Sequence, residues 1–233
     1  MQIQQHDVIL IVQGLIILVL SVCVHEFGHA IVATWLGDDT PGRQGRVTLN
    51  PMAHADPMGT LILPLASMVL MVQAGQPPGI GFGWGKPVEH NARNITRKIR
   101  MVAGQALIAL AGPMMNLLLG ILVTFVHVLL VAQHVIEPRS GLSEALALAS
   151  TVNFMLLFFN LLPVPPLDGG WILQWVTPYK YRRHLEHYQV YAPFVFMAVV
   201  FIPQLRFLFQ WPAEHLYNFF LHTFASLFGL RVG

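Results

Sequence analysis

Val24-His25-Glu26-Phe27-Gly28-His29-Ala30 decides how this chain is read, because the H-E-x-x-H pattern lies inside an apolar run from Val8 to Leu36. Apart from Gln13, Ser21, Thr34 and the motif itself, that run is almost wholly apolar. On a helix, positions i and i+4 share a face, so His25 and His29 can turn both imidazoles toward one metal ion. Glu26, beside the first of them, can take a proton from a metal-bound water. Ionisable groups inside a lipid-spanning helix are costly without partners, so the cluster itself argues for function. The plainer alternative is two histidines satisfied by neighbouring backbone groups or water.

Composition points the same way. The chain has 233 residues, 55% hydrophobic and 10% charged, with a mean hydropathy of +0.60. Soluble domains carry about 25% charged residues. The expected class is therefore an all-α polytopic membrane protein, a single domain over residues 1–233, surrounded by lipid bilayer. A formal charge of +2 is too small to suggest nucleic acid, and the basic residues serve better to orient the chain in the membrane. Cys23 is the only cysteine, so no disulfide forms within the chain. It lies on a different helix face from His25 and reads as a small buried residue. Met1 to Asp7 has no Lys or Arg, so the N-terminus does not read as a cleavable signal.

After the first span, Thr40 to Pro57 is polar and turn-rich, with a short strand-like piece, Gly45-Arg46-Val47-Thr48-Leu49. His54 follows and is a candidate accessory group, or a turn former beside Asn50-Pro51 and Asp56-Pro57. Met58 to Ala74 is apolar but short, and the stretch from Gly75 to Pro87 is rich in Gly and Pro. Broken segments of that kind persist at membrane depth only where protein or water covers their backbone. A long apolar helix is expected from Met101 to about Val135, holding Ala111-Gly112-Pro113 and the lone amide Asn116. Asn116 either ties helices together or contacts substrate backbone. Ala145 to Leu162 is the next span. It runs into Asn160-Leu161-Leu162-Pro163-Val164-Pro165-Pro166-Leu167-Asp168-Gly169-Gly170, where the prolines forbid a continuous helix. Val190 to Pro203 and Phe207 to Leu230 are two further apolar segments. The count is about five transmembrane helices plus a re-entrant hairpin and a short β-strand/loop element.

A catalytic zinc usually keeps three protein ligands and one open position. Asp168 is the best third partner for His25 and His29, being the only carboxylate at a break in apolar surroundings. His54, Asp56 and Glu144 compete for that place. For Asp168 to reach the two histidines, the first span and the Ala145 span must run in the same direction. That requires the Met58 segment to enter and return rather than cross. The positive-inside rule agrees: with the N-terminus outside and a re-entrant segment, only Arg139 and Arg206 lie outside.

Three motifs in this order and context resemble the site-2 protease family of intramembrane zinc metalloproteases. They are His25-Glu26-Phe27-Gly28-His29, then Ala111-Gly112-Pro113 with Asn116, and then Asn160-x-x-Pro163 leading to Leu167-Asp168-Gly169. Gly83-Trp84-Gly85-Lys86-Pro87-Val88 is similar to a loop that some members carry. The resemblance implies one Zn2+ held by His25, His29 and Asp168, with Glu26 as catalytic base. It implies that Asn160 holds substrate or the oxyanion, for which Asn116 is the other candidate. It further implies a catalytic core over residues 8–175, with membrane helices in 176–233. The substrate would be a membrane-spanning protein cut in regulated proteolysis, at a site toward the cytoplasmic side of the cell membrane. The length leaves no room for a PDZ or CBS domain. An extended peptide would be held by β-addition, at Val47–Leu49 or at the loop near Trp84. The rivals are a membrane metal transporter, for which a chain of intramembrane acids is missing, and a proteolytically inactive membrane scaffold, against which the intact Glu26 argues.

Overall fold

The first helix, α1 (Gln5–Trp35), is 31 residues long, which at 1.5 Å per residue is about 46 Å. At its start the Gln4 N–H donates to the Asp7 carboxylate at 2.9 Å. At its end Gly37 turns the chain at φ +104°, and a Cβ there would lie 2.2 Å from Thr96 Oγ1. The computed structural model describes residues 4–76, 81, 83–96 and 99–230. Positions 77–80 and 82 of the Gly/Pro-rich stretch, the basic pair 97–98 and residues 1–3 lie outside the described residues.

Two one-turn helices follow, α2 (Thr40–Arg43) and α3 (Pro51–His54). A π-helical turn (Pro57–Ile62) runs into α4 (Leu63–Gln73). The long helices are α5 (Met101–Ala132) and α6 (Gly141–Leu161), the latter capped by Ser140 Oγ, which accepts from the Ser143 N–H. Then come α7 (Asp168–Val176), α8 (Arg182–Phe201) and α9 (Phe207–Leu227).

Directions follow from paired contacts. His29 meets Ile108 and His25 meets Asn116, so α5 runs antiparallel to α1. Asn116 meets Asn153 and His127 meets Ser143, so α6 runs antiparallel to α5 and hence parallel to α1. Phe154 stacks on Phe220 and Phe159 lies against Phe209, so α9 runs antiparallel to α6. Lipid offers helices no hydrophobic drive to associate, so close backbone approach and buried polar bonds do that work. Gly28 and Gly112 let α1 and α5 meet: a Cβ on Gly28 would lie 2.7 Å from the Ala111 carbonyl oxygen. Outward, α1 exposes Val8, Val12, Ile16 and Leu20, and α5 exposes Met114, Leu118, Leu122 and Val126. An i, i+4 stripe of bare apolar side chains opposite an already packed face suits a lipid environment.

The segment after α3 goes in and comes back. Met68 and Val72 of α4 cluster with Ile11, near the start of α1. The return strap then retraces the path. A Cβ on Gly81 would meet Pro64 and Ser67, the Trp84 N–H donates to the Gly59 carbonyl, and the Lys86 N–H donates to the His54 carbonyl. Because α1 and α5 are antiparallel, residues 36–100 begin and end on one side of the bundle.

Two expectations change. Gly45-Arg46-Val47-Thr48-Leu49 forms no strand, and no strand occurs among the described residues. The carbonyls of this loop are spent locally, Thr48 O on His54 Nε2 and Leu49 O on Cys23 Sγ. The count of about five crossings also falls. Among the described residues three helices are long and apolar enough to cross: α1, α5 and α6. The α8–α9 pair, bent by 92° at its break, adds at most one more. The physical reason is that α8 begins with Arg182-Arg183-His184-Leu185-Glu186-His187, so only its second half is apolar. Tyr188 of α8 donates to the Pro163 carbonyl, and Phe196 lies 6.3 Å from Phe159. Both partners belong to the Asp168 end of α6. Helix α8 therefore lies across that end, and α9 makes the run along α6. Arg206 then falls on the Asp168 side instead of the far side, which leaves Arg139 there among the described Lys and Arg residues.

Candidate metal centre

His25 and His29 project from one face of α1, with ring centroids 4.7 Å apart and planes at 84°. Both are buried, as is Glu26 between them. Gly112 of α5 provides the floor. A Cβ there would lie 2.4 Å from His29 Nε2 and 2.7 Å from His25 Cε1. Asp168 arrives from the first turn of α7. Its position depends on two glycines, because a Cβ on Gly169 would collide with the Leu162 carbonyl oxygen at 2.2 Å and one on Gly170 would crowd Pro165. The prolines before Asp168 end α6 and bring the carboxylate back over the α1–α5 groove.

The protonation of each ring can be read from its partners. His29 Nδ1 is 2.7 Å from the Ile108 carbonyl oxygen, which can only accept, so Nδ1 carries the proton. His25 Nδ1 is 2.6 Å from Asn116 Oδ1. Each neutral ring then holds its lone pair on Nε2. Those two nitrogens are 3.0 Å apart, and Asp168 oxygens lie 3.1 Å from His25 Nε2 and 3.5 Å from His29 Nε2. One ligand atom from each of the three residues lies within 4.8 Å of the others. Asp168 Oδ2 is buried and has no hydrogen-bond donor. Two lone pairs and a carboxylate repel one another at this range unless a proton or a metal cation lies between them. Zinc ligands at about 2.0–2.1 Å in tetrahedral array are about 3.3 Å apart, close to the edges seen here. The donor set, two imidazoles and one carboxylate, suits zinc.

The other candidates sit elsewhere. Asp56 accepts from the Gly59 N–H at 2.6 Å and caps the Pro57 turn. Glu144 lies in the first turn of α6, at the far end of the bundle. His54 is buried and donates from Nε2 to the Thr48 carbonyl at 2.9 Å, so it braces its own loop and is not among the three converging groups. Asn160 donates to Leu156 O on its own helix at 2.9 Å. Asn116 is fully buried, and its amide hydrogens go to Ser21 O at 3.1 Å and Asn153 Oδ1 at 2.9 Å. With both donors engaged inside the bundle, it has none to offer an oxyanion.

Several contributors escaped sequence reasoning. Glu26 Oε2 accepts from the Val88 N–H at 3.0 Å, so the strap 83–90 lies directly over the site. Gly85 makes this possible, because a Cβ there would lie 2.5 Å from Val22 Cγ1 and 3.4 Å from Glu26 Cγ. The strap is stapled further by Thr60 Oγ1 donating to Trp84 O, Arg46 to Lys86 O and Gln44 to Glu89. Its far end hangs on Asp38, buried just past α1, which accepts from the Asn91 N–H, from Asn94 Nδ2 and from both Thr40 groups. Burial pushes the Asp38 carboxyl up, but these hydrogen bonds outweigh it and hold it below its ordinary range. A repeated polar signal in apolar helices, Ser21 and Asn153, could have flagged the network around Asn116. Nothing local marks a backbone N–H such as that of Val88.

The profile of Peptidase family M50 matches residues 13–138 and 129–203. The chain is 36% identical to "Putative zinc metalloprotease YwhC" of Bacillus subtilis, over 84% of this chain and 83% of that protein. It is 30% identical to "Putative zinc metalloprotease Rip2" of Mycolicibacterium smegmatis, over 92% of this chain and 75% of that one. The Mycobacterium tuberculosis (strain H37Rv) protein of the same name is 32% identical over 78% of this chain and 63% of its own length. No solved structure matches.

Proposed function

The chain belongs to the peptidase M50 (site-2 protease) family, and from that premise we propose that it is an intramembrane zinc endopeptidase cutting membrane-spanning protein substrates. The observation that carries the reading is the convergence of two imidazole lone pairs and a donor-less carboxylate oxygen at zinc-like spacing. In this reading His25, His29 and Asp168 hold one Zn2+, which supplies Lewis-acid polarisation and acidifies water to a pKa of about 7.

Glu26 is the general base. Its Oε2 is held by the Val88 N–H, which fixes the carboxylate beside the metal ligands. It takes the proton of the attacking water and delivers it to the leaving amine. Asn160 is the oxyanion or substrate donor, since an amide has two hydrogens and Leu156 takes one. The strap supplies the substrate platform. Residues 84, 86 and 88 turn their N–H groups into the protein, so strand-like alternation turns the backbone of Gly85 and Glu89 to the opposite edge. An extended peptide, unwound from its helix, pairs there by β-addition. The site lies on the side of the bundle that carries most of the Lys and Arg residues, which the positive-inside rule assigns to the cytoplasm.

The test is zinc stoichiometry and cleavage of a membrane substrate. Wild type is expected to carry one zinc per chain and Asp168→Ala to lose it. Glu26→Gln should keep zinc and lose activity by about 10²–10⁴-fold. A zinc-loaded Glu26→Gln protein that cleaves normally removes the base assignment. Metal flux in liposomes without proteolysis would instead establish the transporter reading.

A further inference from the structure

The three long helices meet in a closed polar relay at the level of the site. His25 Nδ1–H faces Asn116 Oδ1 on α5 at 2.6 Å. Asn116 Nδ2 donates to the Ser21 carbonyl of α1 at 3.1 Å and to Asn153 Oδ1 of α6 at 2.9 Å. Asn153 Nδ2 donates to Ser21 Oγ at 2.9 Å and to the Ala149 carbonyl at 2.8 Å. Ser21, Asn116 and Asn153 are each at most 2% exposed.

Amide orientation is ordinarily an assignment, because oxygen and nitrogen look alike. Here backbone carbonyls decide it. Ala149 O can only accept, so Asn153 must present Nδ2 to it and Oδ1 to Asn116. Ser21 O can only accept, so Asn116 must present Nδ2 to it and Oδ1 to His25. An acceptor facing His25 Nδ1 forces the proton onto Nδ1 and the lone pair onto Nε2, the atom that points at His29 and Asp168. The tautomer of His25 thus originates in two peptide carbonyls on different helices. His29 needs no relay, since Ile108 O fixes its ring directly.

We propose that Asn116, Asn153 and Ser21 form a positioning relay that sets the zinc affinity of this site by locking His25 as its Nδ1–H tautomer. The inference rests on the zinc reading above. It assigns Asn153, outside every motif quoted from the sequence, to the metal site without contact to metal or substrate. Partners behind a ligating histidine are worth about 10–100-fold in metal affinity. A neutral histidine without the relay divides between two tautomers, and its free ring can turn away from the ligand set.

The test uses full-length protein in bilayers, with zinc affinity measured by competition against a chelator and the His25 tautomer read by ¹⁵N NMR of the zinc-free form. Asn116→Leu is expected to weaken zinc about 10–100-fold and to mix the His25 tautomers. Asn153→Ala should give a smaller loss in the same direction, because Ser21 O still orients Asn116. The double variant should be no worse than Asn116→Leu alone, since the two act in series. If Asn116→Leu and Asn153→Ala melt at lower temperature but bind zinc as wild type, the relay is only an interhelical tie and the proposal falls. Should Asn116→Leu fail to fold, Asn153→Ala decides by the same two measurements. Wild-type protein that carries no zinc removes the metal reading itself, whereas zinc-loaded wild type with unaffected variants removes only this proposal.

Discussion

At the scale of single residues, the site depends on absence of atoms as much as on the side chains that converge there. Gly112 has no chemistry, yet its missing Cβ is what allows two imidazoles to lie on α5. Neither ring can give way, because each is pinned through Nδ1, one to Asn116 and the other to Ile108. Gly112→Ala should therefore leave a folded protein whose zinc affinity drops by about tenfold or more, measured by the same chelator competition. Wild-type affinity in that variant would mean that the groove opens without cost. His25, His29, Glu26 and Asp168 were all legible in the sequence, because each is a polar group where lipid tolerates few. Asn116 was legible as a buried amide but not in its role, since the same amide can face a substrate or a neighbouring helix. Only the positions of Ser21 O and Asn153 Oδ1 decide between these.

At the scale of elements, the strap over the candidate site is built from backbone hydrogen bonds, and its chain end is anchored on one carboxylate. Asp38 accepts from Asn91, Asn94 and Thr40 and is held below the ordinary carboxylate range. A depressed folded-state value stabilises above the unfolded value, about 3.9, and that stabilisation is lost as pH falls through the folded one. At pH 7, Asp38→Asn should be less stable than wild type by about 1–3 kcal/mol. The gap should close as pH drops below about 4, which thermal unfolding at a series of pH values would reveal. A pH-independent gap would mean that the charge of Asp38 contributes nothing. The helices themselves were readable from apolar run length and from the prolines after Leu162. The strap was readable as a Gly- and Pro-rich interruption with a loop near Trp84 suited to an extended peptide, but its anchors were not, because its partners lie 24 to 62 residues away in sequence.

At the scale of the whole molecule, the arrangement of α1, α5, α6 and α9 places the site at one end of the bundle and the α5–α6 turn with Arg139 at the other. α9 runs away from the site end. A topology reporter inserted at 138–140 and one fused after Gly233 are therefore expected on the same side of the membrane, with one inserted near Gln44 on the opposite side. Five full crossings would place the C-terminal reporter with Gln44 instead. The requirement that α1 and α6 run in the same direction was derivable from the motifs, since His25, His29 and Asp168 could not otherwise meet. The lie of α8 was not derivable. A segment whose first half is charged and second half apolar fits both a span and a surface helix, and the 92° bend before α9 resolves it.

By itself, the sequence determined the membrane class, singled out the three residues that converge and gave the in-and-out path after α3, because burial of polar groups in lipid is costly enough to leave a mark in composition and spacing. The tertiary structure decided which partner each polar group takes: Val88 for Glu26, Asn116 for His25, Asn91 and Asn94 for Asp38. Hydrogen bonds act over about 3 Å, and residues far apart in the chain come within that distance only when helices pack.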